Sequence, residues 1–120
     1  MIRFECDYAE GAHPKVLEAL VKTNFEQTPG YGVDGHCAHA QELIREACED
    51  PLANVYFVTG GTPANVTVIA SLLRPYQGCV CCKSGHINVH EAGAVEATGH
   101  KVIGLDGKDG KLSADTLRDY

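Results

Sequence analysis

The sequence has no excess of basic residues: ten Lys and Arg stand against sixteen Asp and Glu, for a net charge of -6. Nucleic-acid affinity rests on Lys and Arg contacts to phosphates, and no basic cluster offers them, so a nucleic-acid partner is excluded. The chain also lacks any run approaching the ~18 apolar residues of a membrane span. Its first ten residues, Met1 to Glu10, hold neither an apolar signal segment nor a cleavage site, and a cytosolic location is expected. Internal repeats and low-complexity stretches are absent. What remains is globular: 120 residues, 44% hydrophobic and 22% charged, with thirteen Gly and five Pro. A chain of this length buries ~65% of its unfolded surface, enough for one core. Any chemistry must fit that single core, or the chain must belong to something larger.

Six cysteines form an even set: Cys6, Cys37, Cys48, Cys79, Cys81 and Cys82. In a short secreted chain they would predict disulfides, but without a secretory signal reduced thiols are expected. Cys79, Cys81 and Cys82 lie in an apolar run, where cysteine behaves as a small hydrophobe.

The spacing of Val16, Leu17, Leu20 and Val21 predicts a helix opened by His13-Pro14 and closed by the loop Thr28-Pro29-Gly30-Tyr31-Gly32. Ala40, Leu43, Ile44 and Ala47 predict a second helix over 38–48, ended by Asp50-Pro51. The register then changes. Asn54 to Val58 reads as a short buried strand and Thr59-Gly60-Gly61 as a turn. Thr62 is the expected N-cap of a third helix, with Pro63 at its first position. Cys79 to Cys82 is a second strand, 89–98 a helix, and Lys101 to Leu105 a third strand. Ser113 is the expected cap of a last helix, with Asp115 well placed for its dipole. From Asn54 onward strands and helices alternate, the pattern of an α/β layer with parallel strands.

The strongest local signal for chemistry is Val58-Thr59-Gly60-Gly61-Thr62-Pro63-Ala64-Asn65, a strand running through glycines into a helix start. Unpaired N–H groups and a partial positive charge at a helix N-terminus suit a phosphate or carboxylate, and Thr62 adds a hydroxyl. A tight turn that uses glycine only for its dihedral freedom is the alternative. Gly30-Tyr31-Gly32-Val33-Asp34-Gly35 formally matches a dinucleotide fingerprint, but it follows a helical pattern where the fingerprint needs a strand. Cys79-x-Cys81-Cys82-x3-His86-x3-His90 looks metal-like. Zinc fingers, however, separate their Cys and His pairs by about 12 residues, and here only three intervene between Cys82 and His86. His90-Glu91 lacks the second histidine of a zinc-protease motif, and the sequon Asn65-Val66-Thr67 falls inside a predicted helix.

The glycine turn, followed by Gly85-His86-Ile87-Asn88-Val89-His90-Glu91-Ala92-Gly93-Ala94, resembles the threonine aldolase / β-eliminating lyase family of pyridoxal-phosphate (PLP) enzymes. Asp7 and Tyr31-Gly32-x-Asp34 match in the same order, so the resemblance covers essentially the whole chain. It implies an α/β fold: part of the aspartate-aminotransferase-like (PLP fold type I) large domain, a mostly parallel sheet with flanking helices. Residues 1–52 would be an N-terminal helical and loop segment, and 53–120 the first, incomplete part of the PLP-binding domain. The resemblance further implies that Gly60, Gly61 and Thr62 hold the cofactor phosphate and that His86 stacks on the pyridine ring. Tyr31 and Asp7 would lie on the substrate side, Tyr31 often reaching in from a neighbouring subunit.

Two departures stand out. Many members have Arg-Ser-Asp-Thr near the N-terminus where this chain has Glu5-Cys6-Asp7-Tyr8, and His90 replaces an aromatic residue. None of the six lysines (Lys15, Lys22, Lys83, Lys101, Lys108, Lys111) matches the family's Schiff-base motif. The resemblance therefore implies the N-terminal portion of a longer, homo-oligomeric lyase that cleaves a β-hydroxy amino acid such as L-threonine to glycine and an aldehyde. The 120-residue chain by itself is expected to be inactive. The alternatives are a non-catalytic phosphate-binding α/β module, a Cys/His metal-binding domain, or another fold-type-I PLP enzyme (a β-eliminating lyase or aminotransferase).

Overall fold

A computed structural model describes residues 9–120. The chain divides into two compact units, Met1–Val55 and Tyr56–Tyr120.

The first unit holds two helices, α1 (Pro14–Thr23) and α2 (Gly35–Ala47). Helix α1 begins where the sequence predicts: Pro14 needs no N–H partner at the first position, and the His13 side chain accepts from the Lys15 N–H at 3.2 Å. Helix α2 starts three residues earlier than its apolar spacing indicates. Asp34 caps it, accepting from the Cys37 N–H at 2.9 Å. Tyr31 and Gly32, with φ of 65° and 76°, take left-handed backbone in the connection between the two helices.

The expected strand at Asn54 to Val58 does not form; residues 53–58 carry no ladder. On the first-unit side the reason is visible. The Ala53 carbonyl accepts from Arg45 Nε at 2.9 Å and the Val55 carbonyl from Gln41 Nε2 at 3.1 Å. Side chains of α2 thus take acceptors that a neighbouring strand would otherwise use.

The second unit is α/β. Helix α3 (Gly61–Leu72) precedes strand β1 (Cys79–Cys82), followed by the short helix α4 (His86–Val89), a 3-10 turn at Glu96–Thr98, strand β2 (Val102–Leu105) and helix α5 (Ala114–Arg118). The two strands pair in parallel, Cys79 opposite Val102 and Cys82 opposite Leu105, as the alternation of elements predicts. The buried apolar residues are Cys82, Val95 and Val102, with Val95 fully enclosed. Ser113 caps α5 as expected, accepting from the Thr116 N–H at 3.1 Å.

Two boundaries differ from expectation. Helix α3 is capped by Gly60, so Thr62 and Pro63 lie inside its first turn and Thr62 is not the cap. The expected helix over 89–98 is interrupted, because Ala92 and Gly93 adopt φ of 50° and 77° after α4 ends. An alanine in the left-handed region costs roughly 1 kcal/mol, which local helix propensity does not foresee.

The five described cysteines, Cys37, Cys48, Cys79, Cys81 and Cys82, are free thiols. Among the described residues no helix is long and apolar enough to cross a membrane, and no group of three or more potential metal ligands gathers.

Candidate functional site

Helix α3 presents an open N-terminus. No side chain caps it, and the first backbone bond of the helix runs from the Ala64 N–H to the Gly60 carbonyl at 3.2 Å. Pro63 has no N–H to offer. The Gly61 and Thr62 N–H groups therefore remain as donors, beside the half-buried Thr62 side chain. A Cβ placed on Gly61 would meet nothing within 4 Å, and one on Gly60 only Pro63 Cδ at 3.8 Å. The glycines leave clear space before two N–H donors on the positive end of a twelve-residue helix. The donors and the space together fit a phosphate.

One turn further along α3, Asn65 points its amide into the second unit. Asn65 Nδ2 donates to Glu91 Oε1 at 2.6 Å, and His86 Nδ1 lies 2.7 Å from the same oxygen. One carboxylate oxygen thus joins α3 to the first residue of α4. The Glu91 side chain is fully buried while that of His86 is 62% exposed, so the imidazole is anchored from within and open outside. Burial pushes the Glu91 carboxyl up. The hydrogen bonds from Asn65 and His86 and the His86 charge together outweigh burial and hold it below its ordinary value of 4.5. Glu91 Oε2 is buried and has no partner among the described residues. The His90 ring lies beside His86, with centroids 5.3 Å apart and planes tilted by 50°.

The turn that delivers His86 depends on Gly85. Its φ of -63° is ordinary, so dihedral freedom is not the reason for glycine. A Cβ there would stand 2.9 Å from the Cys82 carbonyl oxygen and 3.3 Å from Cys81 Cβ. The Gly85 N–H donates to that same Cys82 carbonyl at 2.8 Å. Close approach to the end of β1 requires the missing side chain.

Within the second unit, the helix that starts at Gly60, Gly61 and Thr62 is thus linked to His86 at the start of α4 through Asn65 and Glu91. Tyr31 belongs to the first unit, where it is fully exposed with a φ of 65°. Asp7 lies outside the described residues. Neither Asn65 nor Glu91 is assigned a role by the sequence, although both fall in the quoted motifs. Their meeting across 26 positions is a tertiary fact. The only local hint is an acid five residues after the histidine, just before Ala92 and Gly93.

Comparison with known proteins follows the same lines. The β-eliminating lyase family model matches residues 5–120. Low-specificity L-threonine aldolases of Pseudomonas sp. and Pseudomonas aeruginosa are each 29% identical over 119 residues, covering 98% of this chain and 34% of theirs. A solved structure of Leishmania major threonine aldolase superposes with a TM-score of 0.90 at 44% identity, covering 94% of this chain and 33% of that one. The chain thus spans about a third of the length of these relatives. With the family model matching nearly every residue and the α/β fold agreeing, the chain belongs to the β-eliminating lyase family.

Proposed function

We propose that this chain supplies the phosphate-holding and ring-facing part of a PLP site in a lyase that cleaves a β-hydroxy amino acid such as L-threonine to glycine and an aldehyde. Family membership supports a PLP-dependent lyase, and the threonine aldolases among its relatives favour this substrate class. The observation that carries the reading is the Asn65–Glu91–His86 connection. It ties an open helix N-terminus and an outward-facing imidazole into one local frame.

When bound, PLP supplies an electron sink for the bond that breaks at the substrate Cα. The residues of this chain do the holding. The Gly61 and Thr62 N–H groups and the Thr62 hydroxyl bind the phosphate, and the bare glycines admit it. His86 covers one face of the cofactor ring and excludes water from it. Tyr31 and Asp7 serve the substrate side, Tyr31 from a neighbouring subunit of a homo-oligomer. Its left-handed backbone at full exposure matches a residue held in place for contact with something else. In this reading residues 1–52 form the N-terminal segment and 53–120 the first part of the PLP-binding domain of a cytosolic enzyme.

The test is product analysis with the full-length protein and L-threonine. Equal amounts of glycine and acetaldehyde, dependent on added PLP, are expected. A keto acid with ammonia, or transfer of the amino group to an acceptor, would replace aldol cleavage by β-elimination or transamination. Turnover indifferent to PLP would overturn the reading altogether.

A further inference from the structure

We propose that Glu91 is a positioning residue that fixes His86 in the Nδ1–H tautomer, leaving Nε2 as a bare acceptor on the exposed edge of the ring. The chemistry of the three groups leads there. An ionised carboxylate only accepts, so whatever lies 2.7 Å from Glu91 Oε1 must donate to it. Asn65 does so through its amide, and His86 must do so through Nδ1. A neutral imidazole with its proton on Nδ1 carries its lone pair on Nε2. No protein group among the described residues bonds that nitrogen, and the side chain is 62% exposed.

The burial of Glu91 makes the arrangement one-sided. With Oε2 unpartnered among the described residues, all the hydrogen-bond compensation they give the carboxylate comes through Oε1. Asn65 holds that oxygen from α3 and thereby gives it a fixed location, so the imidazole is oriented by the same helix whose N-terminus faces the proposed phosphate. A histidine held by a buried carboxylate in this way keeps one tautomer and one ring orientation. Free in water, the ring would favour the Nε2–H form, in which the outer edge donates instead of accepting. Glu91 therefore decides whether the open edge of His86 accepts from a hydroxyl or protonated nitrogen of a ligand or instead donates to a ligand acceptor.

That use of the edge rests on the function proposed above, while the tautomer does not require any cofactor. Long-range 1H–15N correlation on the labelled, PLP-free protein reads it directly, at about pH 8.5 where ordinary imidazoles are neutral. The wild type is expected to show His86 protonated at Nδ1 only. Glu91→Leu, which removes the acceptor, should return it to the mixed or Nε2–H pattern. Glu91→Gln, which keeps an acceptor oxygen, should retain Nδ1–H. A purely space-filling role for Glu91 would move none of these signals. An Nε2–H signal in the wild type overturns the proposal even if Glu91→Leu does not fold. An unchanged tautomer in a folded Glu91→Leu protein overturns it too. Loss of PLP dependence with Nδ1–H retained would sink the functional reading and leave this one standing.

Discussion

Glu91 and His86 are 2.7 Å apart, yet the carboxylate side chain is fully buried and the imidazole mostly exposed. The pair acts as a bracket from the interior of the second unit to its surface. Its acidic member also carries a pH signature. The folded state holds the Glu91 carboxyl below its ordinary 4.5, so Glu91 contributes stability that is fully present above that value. That contribution is lost as pH falls through the lowered folded value. Denaturant midpoints of wild type and Glu91→Gln should differ at neutral pH and converge only in acid below 4.5. Convergence already at pH 6 would contradict the assignment.

Gly85 sets where His86 stands. Because a Cβ would press on the Cys82 carbonyl oxygen at 2.9 Å, Gly85→Ala must push the turn away from the end of β1. A cost of about 1–3 kcal/mol in urea unfolding is expected, as for other overpacked sites. The His86 ring signals should move with it. Gly61→Ala is the natural comparison, since open space surrounds that position and its unfolding midpoint should change far less. Equal destabilisation by both would refute the steric account.

In the first unit, Asp34 controls a thiol. The hydrogen bond to the Asp34 carboxylate, then burial, then the nearby negative charge push the Cys37 thiol up. The Cys37 backbone N–H, in turn, is the leading cause that holds Asp34 below its ordinary 3.8. Alkylation by iodoacetamide near neutral pH should therefore be several-fold slower at Cys37 than at the exposed Cys48, because the thiolate is the nucleophile. Asp34→Ala should narrow the gap, and peptide mapping of the modified cysteines reads both rates. Faster reaction at Cys37 in the wild type would count against this account.

Much of this was legible in the sequence, and the exceptions have physical causes. Strand β1 and helices α1 and α5 follow from apolar spacing, proline and capping signals, which act within a few residues. The expected strand at Asn54 to Val58 pairs with no described strand, and its Val55 carbonyl, like that of Ala53 just before it, is taken by a side chain of α2, partners that local pattern does not reveal. The expected helix over 89–98 fails at Ala92, whose left-handed backbone runs against its propensity. In the site, the glycine turn and His86 announce themselves by type and order. Glu91 does not, because its importance lies in partners at positions 65 and 86 and in a burial that composition never shows.

The proposed phosphate cradle yields the most direct functional prediction. Helix α3 offers Gly61 N–H, Thr62 N–H and the Thr62 hydroxyl with no side-chain cap competing for them. A hydrogen bond to a charged group contributes about 1.5–3 kcal/mol, so removing the hydroxyl should weaken phosphate binding by at least about tenfold. A PLP analogue without the aldehyde, 4′-deoxypyridoxine 5′-phosphate, isolates this contact from any lysine chemistry. Titrated into the protein, it should bind Thr62→Ala at least about tenfold more weakly than wild type and Thr62→Ser nearly as well. Gly61→Ala should also bind weakly, although it folds normally, because the new methyl occupies space through which the phosphate approaches. Unphosphorylated 4′-deoxypyridoxine should not distinguish the variants. If it does, the α3 N-terminus is not where the phosphate is held, and the anchor must be sought elsewhere in the protein.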